Sequence, residues 1–215
     1  VSLSELVTGY AKIASMGKDI KPIYINKIVD ANGKLLFENN NENFQKYDSS
    51  TCYILTETMT NMFDNNLSLN ISVTGAALKT MLSQKYAGKS GSTNTDNWMI
   101  GYNNNLLVGV WCGYDDNRVI ENGQGTFIKY IWAEIMKKYT SKLDNNWYQT
   151  PFDVTSIVLN PINGQLAINN EYSKKLLEKF NVSFNLPKIV EPTALCGYVS
   201  ERAEKEFFIK KGTPV

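Results

Sequence analysis

Ala87-Gly88-Lys89-Ser90-Gly91-Ser92-Thr93, followed at once by Asn94-Thr95-Asp96-Asn97-Trp98-Met99-Ile100-Gly101-Tyr102, is the stretch that decides the fold. It reads as a strand carrying a lysine, a hydroxyl and a glycine, then a tight polar turn, then a second strand of apolar and aromatic residues. The strand period of two puts Lys89 and Gly91 on one face and Ser90 and Ser92 on the other, and at a sheet edge both sets can border a groove. Gly91 removes a side chain at the point where a ligand backbone would approach. A cation, hydroxyls and open backbone in one run suit an anionic acyl ligand.

Outward from that hairpin, Leu106–Tyr114 reads as a third strand across the Asn103-Asn104-Asn105 turn, completing an antiparallel meander. Its continuous apolar character predicts burial on both faces. Phe127, Ile128, Ile131, Trp132, Ile135 and Met136 then fall at helical spacing and suit a helix covering one face of the sheet. Upstream, Leu3, Leu6, Val7, Tyr10, Ala11, Ile13 and Ala14 predict a helix that Gly17 ends. Pro22–Val29 and Lys34–Phe37 predict a β-hairpin around a type I′ turn at Asn32-Gly33. After a polar loop from Glu38 to Lys46, Ser49-Ser50-Thr51 is expected to cap a helix from about Cys52 to Phe63, with Tyr53, Ile54, Leu55, Met59 and Met62 as its core face. Thr74-Gly75-Ala76-Ala77 leads into a short helical segment ending near Gln84.

The fold class expected is therefore α+β of the α/β-sandwich type, an antiparallel β-sheet covered by helices. A soft boundary near residue 140 separates 1–139 from an extension over 140–215. In that extension Val154–Leu159 and Gln165–Ile168 are expected to pair as a small hairpin around Asn160–Gly164, with a helix at about Glu171–Phe180.

Composition narrows the chemistry. With 215 residues the chain is one domain's worth, and 43% hydrophobic with 20% charged residues is ordinary for a globular chain. A net charge of +1 gives no electrostatic case for nucleic acid. Histidine is absent, which excludes Ser-His and Cys-His mechanisms and the commonest zinc ligand. Any nucleophile used here must be activated by lysine, another amine or a carboxylate. Cys52, Cys112 and Cys196 form no Cys-x-x-Cys pair and are read as buried free thiols, with no metal site or cofactor. No segment approaches the roughly 20 apolar residues of a membrane span.

The Lys-Ser-Gly run gains meaning from what surrounds it. Ala87–Thr93, Asp96, Trp98, Gly101-Tyr102, Leu107-Val108-Gly109-Val110-Trp111 and Gly113-Tyr114-Asp115-Asp116-Asn117-Arg118 together resemble the end of the transpeptidase domain in class A (bifunctional) penicillin-binding proteins. Val1-Ser2-Leu3-Ser4-Glu5-Leu6 is similar to that family's Val-Thr/Ser-Pro-Leu-Glu-Met stretch without its proline, and Phe207–Pro214 is similar to its closing segment.

The resemblance implies an incomplete β-lactamase/transpeptidase-like fold and a peptidoglycan D,D-transpeptidase, an acyltransferase of cell-wall cross-linking that β-lactams acylate. It implies that Lys89 supplies positive charge, that Ser90 binds the substrate carboxylate with Ser92 or Thr93 assisting, that Gly91 keeps the approach open, and that the Ser92 backbone N–H is one of two oxyanion-hole donors. The implied partners are peptidoglycan stem peptides, β-lactams, and the upstream part of the same domain on this or a separate chain. The implied location is the extracellular face of the bacterial cytoplasmic membrane, with the anchor upstream. Trp98, Trp111 and Tyr114 are read as core aromatics.

Two pattern matches are read as decoys. Ser15-Met16-Gly17-Lys18 fits Ser-x-x-Lys but straddles a helix end at Gly17, whereas that nucleophile pair needs both residues in the first turn of a buried helix. Ser68-Leu69-Asn70 and Ser183-Phe184-Asn185 fit Ser-x-Asn, an element that in the family comes before the region resembled here. The catalytic serine, its lysine partner and the Ser-x-Asn loop are therefore expected upstream of Val1. Gly88-Lys89-Ser90 as the end of a phosphate loop fails, because Ser83 stands where the first glycine belongs and no helix follows Ser90. A non-catalytic cell-wall or protein-binding module that keeps the fold remains the alternative function. The intact Lys89–Thr93 run weighs against it.

Overall fold

The computed structural model describes residues 1–40, 42–65, 72–121, 123, 125–159 and the strand residues 167–168, 186–187 and 205–210, with 155–159 and the last three segments described by their backbone. Helix α1 spans Leu3–Ala14. Its start is a capping box: the Ser2 hydroxyl accepts from the Glu5 N–H at 3.2 Å and the Glu5 carboxylate accepts from the Ser2 N–H at 2.8 Å. Its end is forced at Gly17, where φ is +94° and a Cβ would lie 2.2 Å from the Tyr47 carbonyl oxygen. Only glycine meets both demands.

Strands β1 (Lys27–Val29) and β2 (Leu35–Glu38) pair antiparallel, but the turn between them is not type I′. Type I′ requires positive φ at two consecutive residues, and of Asn32 and Gly33 only Gly33, at +81°, has it. The Asp30 carboxylate instead accepts from the N–H groups of Asn32 and Lys34, at 2.9 and 2.8 Å, and the pairing register shifts after Ile28. A local Asx contact thus overrides the dipeptide preference.

Helix α2 runs Ser49–Thr60, capped one residue earlier than expected, by Asp48, whose carboxylate accepts from the Thr51 N–H at 2.8 Å. It continues as a 3₁₀ turn over Asn61–Phe63, and a second such turn forms at Ala76–Leu78. The buried face of α2 also differs from the expected apolar stripe. Ser50, Cys52, Tyr53, Thr56 and Glu57 are buried, whereas Leu55 is exposed and Ile54, Met59 and Met62 are half-buried. Each buried polar group has a partner: Ser50 donates to Asp153, Thr56 shares a hydrogen bond with the Tyr102 hydroxyl at 2.9 Å, and Glu57 takes Lys85 and Trp147.

The centre of the fold is the meander β3 (Ala87–Ser92), β4 (Asp96–Tyr102) and β5 (Leu107–Gly113), antiparallel and in that order. The register sets Lys89 opposite Ile100 and Ile100 opposite Gly109, and likewise Gly91 opposite Trp98 and Trp98 opposite Trp111. These residues share one face. Helix α1 covers part of it, since a Cβ on Gly109 would come within 2.6 Å of Val7.

Helix α3 (Ile128–Thr140) covers the other face. There Trp132 lies over Gly101, stacked on Phe63 at 5.5 Å and met edge-on by Tyr86 at 5.9 Å, within a core of Leu78, Met99, Ile128, Ala133 and Met136. Strand β5 is half-buried apart from the exposed Trp111, not buried on both faces, because it is an outer strand of the three; Trp111 and Tyr114 are therefore not core aromatics. No helix of the described residues is long and apolar enough to cross a membrane.

Beyond α3 the chain returns to the body: Tyr148 donates to the Asn103 carbonyl at 3.1 Å, and Thr150 meets the Tyr53 hydroxyl at 2.9 Å. Strand β6 (Val154–Leu159) then pairs with β9 (Lys205–Lys210), while β7 (Ala167–Ile168) pairs with β8 (Leu186–Pro187). The expected hairpin partner of Val154–Leu159 is thereby corrected. Its expected turn at 160–164 and the expected helix at 171–180 lie outside the described residues.

Candidate active site

Strand β3 is the edge of the meander, so one of its sides is not paired within that sheet. Facing it is a cleft of about 530 Å³ whose walls include Tyr10 from α1, Thr58 and Met59 from α2, Asn61, Thr74, and Lys89 and Ser90 themselves. Lys89 is exposed, and its ammonium donates to the Ser90 carbonyl; the Ser90 side chain is half-buried. Gly91 and Ser92 continue the strand and Thr93 follows it, all three exposed and past the lining of the cleft. A Cβ at Gly91 would meet only the Trp98 Cβ at 3.7 Å, ordinary contact, so the space beside it is open.

The far end of β3 is held by a polar turn. Thr93 accepts through its hydroxyl from the N–H groups of Thr95 and Asp96, at 3.1 and 2.9 Å, and its own N–H donates to the Asp96 carbonyl at 2.8 Å. The Thr93 hydroxyl is thus engaged by the turn. The Asp96 carboxylate accepts the Trp111 indole N–H at 2.8 Å and the Thr95 hydroxyl at 3.0 Å. These bonds, the indole first, hold its carboxyl below the usual aspartate range.

Ser15 and Lys18 do not form a nucleophile pair. The Ser15 hydroxyl donates to the carbonyls of Lys12 and Lys18, at 3.1 and 3.3 Å, and Lys18 lies past the helix end in a bridge to Gln45. Ser68–Asn70 and Ser183–Asn185 lie outside the described residues. Cys52 is buried, and burial raises its thiol pKa, which makes it a poor nucleophile.

One cluster between α2 and the lead-in to β3 had no counterpart in the sequence reading. Glu57 is 7% exposed, bonded to Lys85 at 2.6 Å and to the Trp147 indole N–H, with the Lys85 ammonium 4.5 Å from the Trp147 ring centroid. The available signal was position: Glu57 follows Tyr53 by one helical turn, on the buried side of α2.

No protein-family model matches the chain. Curated relatives do. It is 38% identical over 161 residues to penicillin-binding protein 2D of Bacillus subtilis, covering 74% of this chain and 23% of the relative. It is 29% identical over 161 residues to penicillin-binding protein 1A of Aquifex aeolicus, covering 73% of this chain and 21% of that protein. The chain thus spans about a quarter or less of the length of these relatives. Among solved structures, penicillin-binding protein 1A from Haemophilus influenzae superposes with a TM-score of 0.70 at 20% identity, over 77% of this chain and 30% of that one. PonA1 from Mycobacterium tuberculosis gives 0.56 at 23%, over 68% and 40%. In sequence the chain is similar to part of the penicillin-binding proteins, and its fold is that of the β-lactamase-like transpeptidase region of class A members.

Proposed function

We propose that this chain supplies the Lys-Ser-Gly wall of a peptidoglycan D,D-transpeptidase site. A serine outside the described residues acts there as the nucleophile. The observation that carries the proposal is Lys89 and Ser90 side by side on an edge strand lining the cleft. In this role the Lys89 ammonium draws in the substrate carboxylate and the Ser90 hydroxyl binds it. The Ser92 N–H is one oxyanion donor, of a kind whose loss costs about 10²–10³ in rate. The serine oxygen adds to the acyl carbonyl, the oxyanion rests on the backbone donors, and the leaving amine departs with a proton. Stem peptides and β-lactams are the partners, together with the rest of the domain. Such a site works at the outer face of the cytoplasmic membrane, where the polymer is.

The test is Lys89→Ala in the full-length protein, followed by labelled penicillin. Acylation slows by on the order of 10², equivalent to about 2.7 kcal/mol, with thermal stability unchanged. Acylation at the wild-type rate would remove Lys89 from the site, and a full-length protein that forms no penicillin adduct at all would instead favour the non-catalytic binding module. That second reading draws its support from the lack of a lysine-activated serine among the described residues.

A further inference from the structure

From the geometry around Glu57 we infer that Glu57, Lys85 and Trp147 are positioning residues, a clamp that sets the separation of the two cleft walls and so the reach of Lys89. The inference rests on the transpeptidase reading of the cleft. One wall is β3, whose outer side is not paired within its sheet; the other includes Thr58, Met59 and Asn61 at the end of α2. Glu57 immediately precedes Thr58 on α2 and Lys85 stands two residues before β3, so their bond ties the helix of one wall to the lead-in of the strand of the other, although neither side chain lines the cleft itself.

The segment leading into β3 is held from both sides. Toward α2, the Lys85 ammonium bonds the Glu57 carboxylate at 2.6 Å. Toward α3, the Tyr86 hydroxyl meets that of Thr140 at 2.6 Å, and the Gln84 amide donates to the Thr140 carbonyl at 2.8 Å. Trp147 completes the α2 side, its indole N–H on the second Glu57 oxygen and its ring beneath the Lys85 ammonium. A carboxylate only 7% exposed requires such partners, because an unpaired buried charge is costly. Both carboxylate oxygens are thus engaged, which restricts how α2 and the lead-in to β3 can shift against each other. Through it, a tryptophan from beyond α3 acts on a site to which it contributes no lining residue.

The test uses the full-length protein and a fluorescent penicillin, separating non-covalent affinity from the acylation rate constant, with thermal melting alongside. Trp147→Phe keeps a ring under the ammonium and removes the indole donor; Lys85→Met removes the cation; Lys85→Arg keeps it. Both removals slow acylation by about tenfold or more, since small misplacements far from the bond-making atoms carry such losses. Initial affinity changes less, and Lys85→Arg recovers most of the rate. If Lys85→Met does not fold, Trp147→Phe decides. A lowered melting temperature with an unchanged acylation rate constant, measured below both melts, overturns the inference, as does failure of Lys85→Arg to recover the rate. Lys89→Ala is run in parallel. Slow acylation there with normal clamp variants sinks the clamp alone, whereas normal acylation by Lys89→Ala removes Lys89 from the acylation site and sinks the clamp with it.

Discussion

Gly101→Ala tests the packing that holds the sheet to α3. A Cβ at residue 101 would stand 2.3 Å from Trp132 Cζ2, 2.8 Å from Cε2 and 3.0 Å from the Ala87 carbonyl. Reaching ordinary contact requires about 1 Å of displacement, and Trp132 has no room to yield. It is fully buried, stacked on Phe63, met by Tyr86, and its indole N–H donates to the Gly101 carbonyl at 3.3 Å. Overpacking of a rigid core costs about 1–3 kcal/mol, and a locked ring pressed by a neighbouring strand belongs at the top of that range. At roughly 2–4 °C per kcal/mol for a chain of this size, the melting temperature falls by about 6–12 °C. The matched control is Gly91→Ala, where the added methyl meets only a 3.7 Å contact. Its stability stays within about 0.5 kcal/mol of wild type, yet penicillin acylation drops, because the methyl occupies the approach to the candidate site. The assay is a thermal melt of both variants with penicillin labelling of the folded protein. A Gly101→Ala melt within 2 °C of wild type would refute the contact between β4 and α3.

Burial raises the phenol pKa of Tyr102, and that of Tyr148, well above the usual tyrosine range. The unfolded chain gives up these protons first, so their contribution to stability is intact below about pH 10 and declines above it; denaturant midpoints across pH 9–11 check this, and a flat profile counts against it. The depressed Asp96 carboxyl has the opposite sign. Its contribution is present above the ordinary aspartate range and is lost as pH falls through the lowered folded value. The Trp111 indole proton should report that loss in an NMR titration, and an unmoved indole signal would refute the bond. The isolated chain should bind an apolar-surface dye: α1 is amphipathic yet has no buried residue, and Ile23, Tyr24, Ile25, Leu36 and Phe44 are all exposed. A cooperative melt without dye binding would contradict that expectation.

The meander and α3 were legible because their signals are local. The turns at Thr93–Asp96 and Asn103–Asn105 join strands of period two, and Trp132 and Met136 recur at one helical turn. The inner face of α2 was not legible. Ser50, Thr56 and Glu57 are buried through partners 103, 46 and 90 residues away, and hydrophobic periodicity carries no trace of such bonds. The β6–β9 pairing escaped for the same reason, since a good local turn signal at Asn160–Gly164 outweighs a partner strand nearly fifty residues on. In the candidate site, the Lys89–Thr93 run was readable as a motif. Its opposing wall at Thr58 and Asn61 is an ordinary helix end whose role comes from tertiary placement alone.

The helix stop at Gly17 also shapes how this region can change in length. The Gly17 carbonyl accepts the N–H groups of both Lys46 and Tyr47 at 2.9 Å, while the Gln45 amide reaches back to the Met16 carbonyl at 2.8 Å. Residues 18–45 are therefore an excursion closed at its base, and the chain resumes toward α2 from nearly the point where it left α1. Doubling such a closed loop costs only about 0.6 kcal/mol. Asp19 and Tyr24 bind back to Lys12 and Ser4 of α1, so it is the part beyond Tyr24 that evolution can trim, extend or exchange without retuning the helix, and a reporter tag or a foreign peptide inserted at its tip, near Asn32-Gly33, would be carried as freely.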